Sequence, residues 1–223
     1  MEQTVPIPQA IQIAVRHQQS GNLKQAGDIY RKILDKETGN AAALHFLGVI
    51  GIQTGDFSGA AALIEKAISA DGAVPEFFCN LGLALQGKGE LDRAILCFWR
   101  AVALRPDYAE AYNNRGLALA AEARHSSAIQ DYNKAISLIP NNLDAYLNRG
   151  VSYAMINRYA DSIADFSTVI KLAPRDSRGY ANRGIANYQK GMIKEAIPDL
   201  KKGCSMGNQN ACGLLQSALR QQK

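Results

Sequence analysis

No run of about 18 apolar residues occurs in this 223-residue chain, so no membrane-spanning helix is expected. Met1 to Gln19 lacks a basic segment followed by an apolar one, which argues against a secretory signal. The four cysteines (Cys79, Cys97, Cys204, Cys212) are too few and too scattered for a disulfide scaffold, and a reducing, cytoplasmic setting is expected. His17, His45 and His125 are the only histidines, and none has a ligand partner at helical spacing, so neither a metal nor a cofactor is expected. His45 itself reads as a solvated or locally hydrogen-bonded side chain. Phosphate-cradling glycine loops and nucleophile motifs are also missing, so no catalytic residue is assigned and an enzyme is not expected. The net charge of +5 comes from Lys and Arg interspersed with acids, without a basic arm, and nucleic acid is not an expected partner.

What the chain does contain is a recurring phrase. Tyr112-Asn113-Asn114-Arg115-Gly116 returns as Tyr146-Leu147-Asn148-Arg149-Gly150 and as Tyr180-Ala181-Asn182-Arg183-Gly184, each Tyr 34 residues from the next. A fixed period of this length marks a repeat array. After a tail over 1–6, six blocks follow: 7–40, 41–74, 75–108, 109–142, 143–176 and 177–210. Their eighth positions are small (Ala14, Gly48, Gly82, Gly116, Gly150, Gly184), and so are their twentieth (Ala26, Ala60, Ala94, Ala128, Ser162, Ala196). Small residues at both places let two helices cross closely. The fifteenth positions are helix-ending residues, Gly or Asn, except Ala123, which is expected to mark a differently shaped turn. Pro106, Pro140 and Pro174 close three blocks. Each block therefore reads as helix A, a turn and an antiparallel helix B. Pro198 should kink its helix or delay its start. Phe98, Tyr132 and Phe166 recur at one position of helix B and read as core. Residues 211–223 read as one more amphipathic helix, with Ala211, Leu214, Leu215, Ala218 and Leu219 on its apolar side, suited to capping the array.

The period and the small, aromatic and proline signature resemble the tetratricopeptide repeat family over about residues 7–210. The resemblance implies an all-α, right-handed superhelical solenoid of six helical hairpins plus a C-terminal capping helix. Blocks one to three, with Leu44-His45-Phe46-Leu47-Gly48 and Asn80-Leu81-Gly82, are similar to bacterial repeats found in front of glycosyltransferase or methyltransferase domains. Cys204 and Cys212 are similar to the pair that bridges neighbouring helices in the related Sel1-like repeats. The alternative is two reduced thiols packed as small apolar groups, and the lack of a secretion signal favours it.

Two sets of positions stand out within the array. The seventh is Ile13, Leu47 and Leu81 in the first three blocks, then Arg115, Arg149 and Arg183. Sixteen residues on stand Ile29, Leu63 and Cys97, then Asp131, Asp165 and Asp199. The joint switch from apolar to Arg plus Asp implies a structural ion pair in each of the last three repeats. In the family, helix A lines the groove through positions that include two, five, six and nine. Position six reads Asn80, Asn114, Asn148 and Asn182 in four successive blocks. An Asn amide can pair with both groups of a peptide unit, and the repeats of O-linked N-acetylglucosamine transferase use a similar ladder to hold peptide. The same asparagines could instead link adjacent A helices. Glu76, Glu110 and Asp144 at position two would border this groove, or simply favour the first turn of their helices. A clamp for chaperone C-termini is not expected, since only Arg178 and Lys190 could supply its cations. The expected function is a non-catalytic scaffold binding an extended peptide or partner protein. The alternative is a recruiting subunit of a separately encoded modifying enzyme, and self-association through end repeats is a third reading.

Overall fold

A computed structural model describes residues 5–221, and the chain falls into two compact units, 1–107 and 108–223. The described residues form thirteen α-helices and no strand. The first unit holds α1 (Ile7–Gln19), α2 (Leu23–Lys36), α3 (Ala41–Thr54), α4 (Phe57–Ala70), α5 (Pro75–Gly87) and α6 (Leu91–Leu104). The second holds α7 (Ala109–Ala121), α8 (His125–Leu138), α9 (Leu143–Met155), α10 (Tyr159–Leu172), α11 (Ser177–Gln189), α12 (Ile193–Ser205) and α13 (Gln209–Gln221). The odd-numbered helices to α11 start on the first position of a 34-residue block, and their even-numbered partners on the seventeenth. Successive pairs form six hairpins. Within each unit helix B of one hairpin also packs on helix A of the next, as α2 does on α3 and α10 on α11. No described helix is long and apolar enough to cross a membrane.

The eighth-position glycines show why the hairpins close as they do. A β-carbon on Gly116 would lie 2.6 Å from the ring of Tyr132, which is fully buried. Gly82 and Gly150 stand in the same relation to Phe98 and Phe166. The aromatic ring of helix B thus sits directly against the bare backbone of helix A, and any larger residue would push the two apart.

Three local expectations are corrected. Ala123 does not make a different turn: its φ of 57° is left-handed, as are Asn157 at 61° and Gly89 at 78°. Its amide bonds Ala120 O at 2.9 Å, as that of Gly89 bonds Gln86 O at 2.9 Å. The shared hairpin geometry imposes on alanine a conformation costing about 1–2 kcal/mol. Of the two effects expected of Pro198, a delayed start is excluded, since α12 begins in register with the other B helices; as an interior residue of that helix it removes one backbone bond. The final helix begins at Gln209 rather than 211, because the Asn208 side chain accepts from the amide of Ala211 at 3.0 Å and caps it. Residues 222–223 of that expected helix, and 1–4 of the expected tail, lie outside the described residues.

The expectation of two reduced thiols also fails. Cys204, in the last turn of α12, is bonded to Cys212 in the first turn of α13. Gly207, at φ 90°, turns the chain sharply between the helices, so these two turns lie side by side. Cys79 and Cys97 take part in no disulfide.

Candidate functional site on the A-helix face

In the first unit a hollow of about 260 Å³ opens on the A-helix side, lined by Val15, Gln18, His45, Phe46, Val49 and Asn80 among others. His45 is 6% exposed, with the rings of Phe46 and Phe77 at 5.1 and 4.5 Å. Burial pushes its pKa down to about 4, although the charge of Glu76 pulls it upward. The ring is therefore neutral at pH 7, and its Nε2 accepts from Asn80 Nδ2 at 2.7 Å. His45 is thus locally hydrogen-bonded rather than solvated.

In the second unit Asn148 Nδ2 donates to Asn113 Oδ1 at 3.3 Å. Both bonds join the sixth position of one repeat to the fifth position of the repeat before it, so they stitch adjacent A helices together. Asn114 sits half-buried in α7 at the same sixth position. At Asn182 the corresponding fifth-position residue is Leu147, which offers no side-chain polar group. No hydrogen bond is found for the Asn182 side chain among the described residues. It borders a hollow of about 170 Å³ between α9 and α11, with Val151, Met155, Phe166, Ile185 and Gln189 around it. Val151 and Met155 are 44% and 62% exposed, high for apolar side chains. Ile185 and Gln189 also face a wider hollow between α11 and α13. None of the side chains lining these three hollows is charged at pH 7.

The acids at position two are placed differently from one another. Glu76 accepts from Arg105 Nη1 at 2.7 Å. Asp144 is exposed and meets Arg178 at 3.4 Å, while Arg178 is held more closely by Asp176 at 2.7 Å. Glu110 is exposed. The border of this face is thus largely neutralised by its own cations.

The Arg and Asp residues meet as bidentate pairs. Arg115 donates through Nε and Nη2 to Asp131 at 2.7 and 2.6 Å, Arg149 to Asp165 at 2.8 and 2.6 Å, and Arg183 to Asp199 at 2.7 and 2.9 Å. The three carboxylates are buried. Burial pushes the Asp165 carboxyl up against the pull of Arg149, and hydrogen bonding to Asp131 and Asp199 raises Arg115 and Arg183. The third nitrogen reaches the preceding repeat: Arg149 Nη1 donates to Asn133 Oδ1 of α8 at 2.6 Å, and Arg183 Nη1 to Ser167 Oγ of α10 at 3.0 Å. The Arg149 and Arg183 pairs therefore sit at joints between two repeats. Sequence reasoning missed the partners at positions five and twenty-five. A polar residue at position five, as at His45 and Asn113, is the signal that could have separated a stitching asparagine from an unoccupied one.

Family models of the tetratricopeptide repeat match residues 11–75 and 147–211, and residues 109–142. A further model, described as TPR repeat, matches 87–122. Among solved structures, MamA is 27% identical with a TM-score of 0.67, over 73% of this chain and 95% of its own. A tetratricopeptide repeat protein from Parabacteroides merdae ATCC 43184 is 23% identical with a TM-score of 0.74, over 90% of this chain and 79% of its own. YrrB, described as a TPR protein with an unusual peptide-binding site, is 16% identical with a TM-score of 0.70, over 84% and 97%. No curated protein matches the chain.

Proposed function

The chain belongs to the tetratricopeptide repeat family, and from that premise we propose that it is a non-catalytic scaffold holding an extended segment of a partner protein against its A-helix face. The observation that carries this reading is Asn182. Its amide has two donors and an acceptor, no partner among the described residues, and an apolar hollow beside it. Those features suit a peptide whose backbone pairs with the amide while one apolar side chain enters between α9 and α11. The uncharged lining favours a neutral strand over an anion. Asn80 and Asn148 are assigned to joining helices, and the α11–α13 hollow extends the same face.

A pull-down from the source cell supplies the partner, and titration then tests the site. Asn182→Ala with Met155→Gln should weaken binding at least tenfold, since a peptide group left unpaired costs about 1–3 kcal/mol and about 1.4 kcal/mol is one decade. Asn148→Ala should lower the melting temperature and leave the affinity nearly unchanged. Unaltered binding by the Asn182/Met155 variant, with an unaltered circular dichroism spectrum, would remove the groove reading. A transferase recovered as the main partner would instead favour a recruiting subunit.

A further inference from the structure

We propose, on the groove reading above, that the partner segment crosses the A-helix face of the second unit as a polyproline-II strand. It places an aliphatic side chain in the α9–α11 hollow and, three residues on, an aromatic side chain with a polar tip in the α11–α13 hollow.

The two hollows are one feature met at successive joints. Val151, Ala154 and Met155 of α9 hold the ninth, twelfth and thirteenth positions of their repeat and wall the first hollow. Ile185, Tyr188 and Gln189 of α11 hold the same positions and wall the second. Opposite each trio stands the sixth residue of the next A helix: Asn182 of α11 in the first hollow, Leu214 of α13 in the second. Ile185 and Gln189 line both, so α11 forms the ridge between them. One hollow is therefore separated from the next by the step between neighbouring A helices. That step is about 8–10 Å for packed helices, and α11 packs on both α9 and α13.

The step selects a backbone. A polyproline-II chain turns once in three residues and rises about 3.1 Å with each, so residues i and i+3 face the same way about 9.3 Å apart. A β-strand returns to one face every second residue, after about 6.7 Å, too short to straddle the ridge. An α-helix matches through i and i+7, about 10.5 Å apart, but its backbone groups are already bonded to each other. Asn182 requires the opposite. Its amide has no partner among the described residues, and it stands at the edge of the first hollow. A polyproline-II backbone makes no internal hydrogen bonds, so an N–H and a C=O remain free to meet that amide.

The linings set the side chains. The first hollow is the smaller, about 170 Å³, and its walls are apolar apart from Asn182 and Gln189. Leucine or valine suits it. The second, about 580 Å³, sets Ile185 and Leu214 beside Gln209, Asn210 and Ser217. Gly213 leaves it open, since a β-carbon there would meet no atom within 4 Å. A tyrosine fills such a space and hydrogen-bonds at its far end.

The probes are two dye-labelled peptides of one composition. Gly-Pro-Leu-Ala-Pro-Tyr-Pro-Gly holds leucine and tyrosine three residues apart, and Gly-Pro-Leu-Pro-Tyr-Ala-Pro-Gly holds them two apart. Titrated with the whole chain and followed by fluorescence anisotropy, the first should bind at least tenfold more tightly than the second. Gly213→Leu occupies the second hollow, and leucine is the better helix former, so the helical spectrum is retained. This variant should weaken the first peptide at least tenfold and leave the second as it was. Equal binding of the two peptides by wild type, an unaltered affinity of the first for Gly213→Leu, or no saturation by either up to about 1 mM overturns the proposal. The groove reading survives any of these results, because titration of the natural partner with the Asn182/Met155 variant decides it separately.

Discussion

His45 ties stability to pH through one side chain. In an unfolded chain a histidine takes a proton near pH 6.5, whereas here burial among aromatic rings delays protonation to about pH 4. Between those values the unfolded state binds the extra proton, so stability falls as pH drops from about 6.5 toward 4. Above that window the contribution is complete. The loss is at most about 3 kcal/mol at the acid end. Carboxylates titrate in the same range, so the test is a difference. His45→Gln keeps an acceptor for Asn80 but cannot titrate, and its urea midpoint should fall less than that of wild type between about pH 7 and pH 4.5. Identical slopes would mean that the ring is protonated in the fold. Residues of this kind separate what sequence can and cannot tell. The Arg and Asp positions were legible because they change together inside one chain, each repeat serving as a comparison for the others. The division of the asparagines was not legible, because it depends on which side chain the neighbouring helix presents: His45 to Asn80, Asn113 to Asn148, and an apolar Leu147 to Asn182.

Helices and turns were legible wherever sterics alone decides them. The Gly and aromatic pairs, such as Gly116 with Tyr132, permit one crossing, and the prolines two residues past α6, α8 and α10 stop those helices. The conformation of Ala123 was hidden, because geometry common to all the hairpins overrides the preference of one residue. The disulfide was hidden because a spacing of eight says nothing until the start of α13 is known. That bond matters most to α13, a 13-residue helix whose Ala211 and Ala218 pack against α11 and α12. Helices of this length are marginal in water when isolated. Closing a loop of about nine residues contributes roughly 2–3 kcal/mol. Reduction, or Cys204→Ser with Cys212→Ser, should therefore speed hydrogen exchange at α13 amides by about 10–100-fold. Amides of α7 to α10 should be unaffected, since contacts in an array reach only neighbours. Equal exchange in both forms would mean that packing alone holds the helix. Intact mass of the protein from its native compartment reads whether the bond forms there, a bond that a reducing cytoplasm would disfavour.

At the scale of the whole chain, each unit is built from helices that pack chiefly on their neighbours in sequence. Every helix of the second unit has a packing partner inside that unit, α7 on α8 through α12 on α13. Stability of such an array is close to a sum of repeat terms and neighbour terms, and three repeats with a cap are enough to fold. Where the array can be cut then depends on the face each cut exposes. A chain beginning at residue 108 starts with the fourth repeat, whose seventh and twenty-third positions are Arg115 and Asp131, already satisfied by two hydrogen bonds to each other. A chain beginning at residue 41 instead presents Leu47 and Leu63, the former of which packs against the Tyr30 and Ile33 cluster of the first repeat. The fragment 108–223 should therefore be helical, cooperative in denaturant and monomeric, while 41–223 folds but associates as its concentration rises. Circular dichroism melts and a sedimentation series on the two fragments decide the matter. An unfolded or aggregating 108–223 would mean that the ion pairs do not close an end face, and that the chain switches from apolar to charged joints for some reason other than tolerance of water.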